Sequence, residues 1–324
     1  MKAILCQSYG PPENLILAEI DAPQPAKNEV LVQVKAAAVN FADTLIIQGL
    51  YQFKPELPFT PGSDVAGIVL AIGEGVKHLK VGDEVFGLVS HGAFAEQVLL
   101  PAKQCFPKLP NMDFAVAASF MMAYGTSYYA LKDRAKLKAG ETLLVLGASG
   151  GVGLAAVQLG KLMGAKVIAA ASTDEKLALC KSYGASEVIN YQTEDLKTRV
   201  KALTDGKGAD VIYDPVGAHF SEAALRAIAW EGRFLVVGFA AGDIPKIPLN
   251  LALLKGCQIV GVFWGAFAMK APALNLQNTL ELAQFFTEGK IKPHIHARHT
   301  LAETPEAIAS LMRREVKGKV VIEL

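Results

Sequence analysis

The chain has 324 residues, 52% hydrophobic and 19% charged, which excludes a disordered or low-complexity polymer and implies more than one packed core. Lysine and arginine number 32 against 31 acidic residues, a formal net charge of +1, so no global field draws the protein to nucleic acid or to an anionic membrane. A charged ligand must therefore be held by a local cluster.

In chain order, Met1 to Cys6 is too short an apolar run before Ser8-Tyr9-Gly10-Pro11 to read as a secretory signal. Short β-rich segments follow, Val30–Val34, Val65–Ile72 and Glu84–Leu88, separated by turns such as Gly82-Asp83, and predict a compact β-rich domain. From Gly140 the texture changes. Strand-length apolar runs at Leu143–Leu146, Lys166–Ala171, Val188–Asn190, Val211–Tyr213, Phe234–Gly238 and Ile259–Phe263 alternate with amphipathic stretches at Leu154–Met163, Asp174–Tyr183, Asp195–Leu203 and Ser221–Trp230. That rhythm predicts a parallel sheet covered by helices on both faces, and the runs are continuous rather than alternating because both faces are buried. After Trp264 the pattern gives helices near Leu274–Glu288 and Thr304–Arg314 and a last strand Lys319–Glu323. The uncharged window Thr142–Gly160 has membrane-like hydropathy, but its five glycines and its switch from strand to helix are incompatible with one continuous spanning helix. The four cysteines, Cys6, Cys105, Cys180 and Cys257, form no CxxC pair, which argues against a disulfide scaffold or zinc knuckle and suits a reducing cytoplasm.

The segment Thr142-Leu-Leu-Val-Leu-Gly-Ala-Ser-Gly-Gly-Val-Gly153 is a strand, a glycine turn and the start of a helix. Gly147, Gly150 and Gly153 recur every third residue, so the backbone turns tightly, approaches a pyrophosphate, and lets helix and strand pack closely, while the helix N-terminus offers free N–H groups. Gly147, Ala148, Ser149, Gly150, Gly151, Val152 and Gly153 are the candidate phosphate loop. Cofactor choice is read at the end of the second strand, where Asp or Glu would hold a ribose 2′-hydroxyl. Here Lys166–Ala171 is followed by Ser172 and Thr173, and Asp174 and Glu175 instead suit the first turn of the next helix. The Ser172 and Thr173 hydroxyls and the Lys176 ammonium can bind a 2′-phosphate, which predicts NADPH. The other reading makes Ser172 or Thr173 a helix cap and leaves Lys176 solvated.

Together with Gly62-Ser-Asp-Val-Ala-Gly-Ile-Val69 and Ala38-Val-Asn-Phe-Ala-Asp-Thr-Leu-Ile-Ile-Gln-Gly-Leu-Tyr51, these motifs resemble the zinc-independent quinone oxidoreductases, a branch of the medium-chain dehydrogenase/reductase superfamily. The resemblance spans essentially the whole chain. It implies an α/β fold with a GroES-like β-rich catalytic domain from residues 1–122 and 265–324, an inserted Rossmann domain with a doubly wound parallel sheet at 123–264, and a homodimer. Zinc-dependent relatives place ligands where this chain has Asn40 or Val39, Gly62-Ser63-Asp64 and Met122, a set without the thiolate and imidazole donors of a catalytic zinc site. The expectation is no metal; His294 and His296 could pair on one strand face but have no third ligand. By the same resemblance, Thr126 matches a nicotinamide-side threonine and Tyr191 a tyrosine against the adenosine phosphate. Gly238, Phe239, Asn250, Phe263, Trp264, Gly265, Lys317 and Lys319 match the lining of the dinucleotide groove. The alternative reading has Phe239, Phe263 and Trp264 filling the interdomain core and Lys319 as a solvated edge-strand charge, with Thr126, Ser172, Lys176, Tyr191 and Lys319 the favoured cofactor residues. Ala148 departs from the strict glycine consensus and is tolerated if its φ is negative.

Without a metal, the best-supported reaction is hydride delivery from NADPH to an electron-poor small-molecule acceptor, a quinone or an alkene conjugated to a carbonyl. Asn40 and Tyr51 are the catalytic candidates, since an amide N–H and a phenol O–H can donate to a developing enolate or hydroquinone oxygen, and a phenol can also give the proton. Asp43 orients a neighbour in this reading, and Asn40 as a turn residue with Tyr51 as wall remains the structural alternative. The rival enzyme is an enoyl or alkenal reductase, and the rival class a noncatalytic NADPH-binding protein. Neither nucleic acid nor membrane is expected as a partner.

Overall fold

The chain opens with an antiparallel pair, β1 (Lys2–Leu5) and β2 (Ile16–Glu19). The long strand β3 (Glu29–Val39) follows, rich in β-branched residues in its first half and carrying three fully buried alanines, Ala36 to Ala38, before its last residue. After it come α1 (Phe41–Ile46), β4 (Asp64–Ile72), β5 (Glu84–Leu88), β6 (Gln97–Pro101), β7 (Cys105–Pro107) and α2 (Phe114–Ala118), the last packed on β3 and β4. A wide-turned helical stretch, Met121–Gly125, α3 (Thr126–Tyr128) and Tyr129–Arg134, leads into the alternating region. There β8 (Thr142–Val145), α4 (Gly151–Leu162), β9 (Lys166–Ala171), α5 (Asp174–Ser182), β10 (Glu187–Asn190), α6 (Leu196–Leu203), β11 (Ala209–Asp214), α7 (Ala218–Arg226) and β12 (Ile228–Val236) succeed one another. The remaining elements are α8 (Asn250–Lys255), β13 (Gln258–Gly261), α9 (Trp264–Lys270), α10 (Pro272–Thr287), β14 (Ile295–Thr300), α11 (Thr304–Met312) and β15 (Lys319–Glu323).

This computed structural model describes residues 1–324 and forms two units, Met1–Met122 with Pro293–Leu324, and Ala123–Lys292. In the first, a seven-stranded sheet runs β14-β15-β3-β4-β5-β7, with β6 also paired to β3; only β14 and β15 are mutually parallel. Its core gathers Ile4, Val32, Val65, Val85, Phe94, Leu100, Ile308 and Ile322. In the second, six parallel strands run β10-β9-β8-β11-β12-β13, the doubly wound order in which the first strand lies centrally and the crossovers reverse beside it. No helix is long and apolar enough to cross a membrane.

Two sequence expectations differ from what is seen. The amphipathic stretch read as Ser221–Trp230 stops at Arg226, and β12 already begins at Ile228; Glu231 takes a positive φ of 58° inside that strand and Trp230 points to the surface. The boundary expected at residues 264 and 265 lies instead between Lys292 and Pro293. Polar anchors explain it. Glu281 of α10 accepts hydrogen bonds from Lys132 Nζ and from Tyr128 Oη at 2.5 Å, and Asn278 donates to Asp133 at 2.7 Å. Hydrophobic periodicity carries no trace of such bonds.

Candidate functional site

The glycine turn after β8 is built for close approach. Gly147 has φ +55°, its carbonyl accepts the Gly150 N–H at 3.0 Å, and a Cβ on Gly153 would lie 2.3 Å from that same carbonyl. Only glycine fits there without moving backbone. Ala148 is fully buried, its φ is not positive, and its N–H is bonded to Ala170 O at 3.0 Å, so the methyl group costs the turn nothing. Helices α2, α5 and α6 are each capped by a side chain, from Asp113, Thr173 and Asp195. Helix α4 is not: its N-cap is Gly150 and no side chain caps its first turn, which includes Gly151, Val152 and Gly153, with Ser149 buried just before it. A 12-residue helix presenting uncapped N–H groups beside a glycine turn suits an anionic ligand.

At the end of β9 the structure divides the roles of the expected residues. Thr173 Oγ1 accepts the Lys176 N–H at 3.3 Å and caps α5, as the alternative reading had it. Ser172 Oγ instead lies 3.4 Å from Lys176 Nζ, so a hydroxyl and an ammonium stand together where an acid would otherwise end the strand. Asp174 is drawn aside by Asn190 Nδ2 at 2.8 Å. Tyr191 bonds through its N–H to Ala171 O at 3.2 Å and rests on Phe220 with ring centroids 4.5 Å apart.

Elsewhere in this unit, Thr126 starts α3, and the neighbouring Ser127 hydroxyl donates to Val152 O at 2.8 Å and pairs with Tyr213 Oη at 2.9 Å. Ser127, unnoticed in the sequence, thus ties Thr126 to the first turn of α4. The Gly238 N–H faces Asp214 O at 3.3 Å, and Phe239 lies over Gly217. Asn250, Phe263 and Gly265 are exposed. Trp264 is core: it is buried against Gly125 and donates from Nε1 to Asn275 at 3.0 Å.

The first unit holds a second constellation. Register carries it: β15 pairs with β3 so that Val320 lies opposite Val39, and β4 pairs with β3 so that Asp64 lies opposite Ala38. Residues 40, 64 and 319 therefore meet at one end of the sheet. Lys319, expected at the dinucleotide groove or in solvent, is only 5% exposed and donates from Nζ to Asn40 Oδ1 at 2.5 Å and to Asp64 Oδ2 at 3.5 Å. Asn40 Nδ2 donates to Asp64 Oδ2 at 2.9 Å and to Ala38 O at 3.4 Å. Its amide is thus engaged on both sides and acts as a bridge, where the sequence suggested a donor to an incoming oxygen. Asp64 Oδ1 faces the Met122 N–H at 3.3 Å.

Asp43, at the third position of α1, completes the set. Its Oδ2 accepts the Asn40 N–H at 2.7 Å, while Oδ1 has no full hydrogen bond and only the Gly62 N–H as a weaker neighbour. Burial pushes the Asp43 carboxyl up to about 7, against the pull of the Asn40 N–H and Lys319. Burial also raises Asp64, opposed by Lys319 and Asn40. Tyr51 is half-buried against the sheet core, and burial followed by the charge of Asp43 raises its phenol. Lys317 is half-buried two residues before Lys319. No three His, Cys, Asp or Glu side chains gather to hold a metal ion. At Asn40 and Asp64 the site holds an ammonium hydrogen-bonded to both residues, and that donor set does not fit zinc.

A seven-stranded GroES-like sheet interrupted by a six-stranded Rossmann sheet, with a glycine turn at the first βα junction, defines an oxidoreductase of the medium-chain dehydrogenase/reductase type. Residues 26–111 match the family model of the alcohol dehydrogenase GroES-like domain, and residues 151–279 match that of the zinc-binding dehydrogenases. The quinone oxidoreductase-like protein 2 homolog of Nematostella vectensis is 40% identical over 99% of this chain and 88% of its own. Pseudomonas aeruginosa quinone oxidoreductase is 35% identical over 99% of each chain. The crystal structure of Escherichia coli quinone oxidoreductase complexed with NADPH superposes with a TM-score of 0.95 at 31% identity, covering 100% of both chains. The chain belongs to the quinone oxidoreductase branch of the medium-chain dehydrogenase/reductase superfamily.

Proposed function

We propose that this protein is an NADPH-dependent reductase of quinones that works without zinc. The observation that carries the reading is the Asn40–Asp64–Lys319 cluster: its fixed positive charge is an ammonium already bonded to both partners, not a metal. Substrate activation must then come from the acceptor itself, and quinones are electron-poor enough to need little. The quinone oxidoreductases among its relatives support the same substrate class.

NADPH fits the residues of the Rossmann unit. The uncapped first turn of α4 would hold the pyrophosphate, and Ser172 with Lys176 would hold the 2′-phosphate through charge-assisted hydrogen bonds. The relative from Escherichia coli was crystallised with that cofactor. When bound, NADPH supplies a hydride. Tyr51 is the proton source for the reduced oxygen, its raised phenol keeping the proton until an anion forms. Asn40 holds the cluster together, and Thr126 contributes to the cofactor site from α3.

The protein acts as a homodimer in this reading. Strand β13 is an edge of the Rossmann sheet, and beside it Trp230 is 70% and Leu253 80% exposed, an apolar edge suited to a second copy. Four free cysteines fit the cytoplasm.

The test is NADPH and NADH oxidation with and without 1,4-benzoquinone, 9,10-phenanthrenequinone, an enal and an enoyl thioester, with metal content measured in parallel. Faster NADPH oxidation with quinones, slow NADH turnover and indifference to chelators are expected. A preference for enals would move the substrate class, and cofactor binding without acceleration by any acceptor would make the protein noncatalytic. Essential stoichiometric zinc would overturn the reading.

A further inference from the structure

The buried cluster carries two carboxyl groups and one ammonium. Asp64 has the stronger claim on the negative charge, because it is paired with Lys319 and accepts from Asn40 Nδ2 and the Met122 N–H. Asp43 has one strong hydrogen bond, from the Asn40 N–H, an oxygen without a full partner, and no exposure to solvent. If both carboxyls were ionised, one negative charge would stand uncompensated in the interior, an arrangement proteins avoid by retaining a proton. The charged and titratable groups around Asp43 are Lys319 from β15, Asp64 from β4 and the Tyr51 phenol from the segment after α1.

We propose that Asp43 works as a neutral carboxylic acid, and that its ionisation, by placing an unbalanced negative charge within electrostatic reach of Tyr51, sets the alkaline limit of the reaction. The proposal deepens the functional reading above and rests on Tyr51 as its proton source. Asp43 is a positioning residue here: it touches neither acceptor nor cofactor. A charge near Tyr51 disfavours phenolate and opposes negative charge on a reduced oxygen, so proton delivery weakens once Asp43 has lost its own proton.

The sign of the stability effect is fixed. The folded carboxyl holds its proton up to about 7 and the unfolded one releases it near 3.8, so the folded state binds more protons between these values and wild-type stability falls as pH rises through that window. Asp43→Asn keeps an oxygen to accept the Asn40 N–H and removes the titration. The expected result is that wild-type kcat/KM declines above pH 7 whereas Asp43→Asn holds its rate there, and that the stability of wild type relative to Asp43→Asn drops between the two values. Infrared difference spectra of the protein without cofactor should show a neutral carboxylic acid disappearing near pH 7 in wild type. In Asp64→Asn that titration should move to lower pH, because Lys319 then faces a single carboxyl. An unchanged alkaline decline in Asp43→Asn, or a titration that Asp64→Asn leaves in place, would overturn the proposal. The infrared measurement does not depend on the acceptor, so it separates failure of this inference from failure of the quinone reading.

Discussion

The Rossmann turn and the sheet-end cluster recognise charge by opposite means. At Gly147–Gly153 the work is done by backbone, with N–H groups bare and side chains removed so that a ligand can come close. At Asn40, Asp43, Asp64 and Lys319 it is done by side chains that bond mainly to one another in the interior, with Asp43 Oδ1 alone left without a full partner. The first kind of site waits for its partner, and the second draws nearly all of its partners from within the chain. Their sensitivity to substitution should differ accordingly: the turn should fail in binding, the cluster in stability.

The sharpest way to break that contrast is Lys319→Met. It strands Asp64 as a buried carboxylate and should cost about 3–5 kcal/mol, with most of the loss recovered in the double variant with Asp64→Asn. Urea denaturation at neutral pH measures both, and a loss below about 1 kcal/mol would mean the ion pair does not hold the cluster together. Next comes Gly153→Ala, whose Cβ meets the Gly147 carbonyl at 2.3 Å. It should cost about 1–3 kcal/mol and weaken NADPH binding as the turn is pushed apart, read by denaturation and by cofactor fluorescence. Lys176→Ala should leave stability alone, weaken NADPH about tenfold and spare NADH, as loss of one charge-assisted hydrogen bond predicts. Equal losses for the two nucleotides would remove Lys176 from the 2′-phosphate. The smallest effect is expected from Tyr51→Phe, about three- to tenfold in kcat at unchanged NADPH affinity, less than usual for a general acid because a quinone is reactive by itself. Unaltered turnover would take Tyr51 out of the chemical step.

What the sequence revealed follows the same division. The central Rossmann strands were legible because β8, β9 and β11 are buried along nearly their whole length and so read as unbroken apolar runs, and the glycine turn was legible because its three glycines act within seven residues. The end of β9 was half legible: Ser172, Thr173 and Lys176 were recognisable as a group, but which of them caps α5 depends on rotamers. The cluster was hidden because its members lie up to 279 positions apart and meet only through the β15–β3 and β3–β4 registers. Lys319 at the start of a strand has no local feature separating it from an ordinary solvated lysine. Asp43 was noticed only as a neighbour, since nothing in Asn-Phe-Ala-Asp announces that its carboxyl is wholly enclosed. Trp264 and the boundary at Lys292 share that cause, being settled by Gly125, Asn275, Lys132 and Tyr128 from distant segments.

Strand β15 delivers the cation that balances Asp64 across from a turn begun 279 residues earlier at Asn40. On the ribosome, everything the Rossmann unit needs has been synthesised by Lys292, whereas the acidic end of the GroES-like sheet must wait for residue 319 before its charges can be neutralised. Nascent chains should therefore acquire nucleotide-binding competence first and lock the acidic end of the other sheet last, so that a half-made molecule can grip its coenzyme before its second core is neutralised.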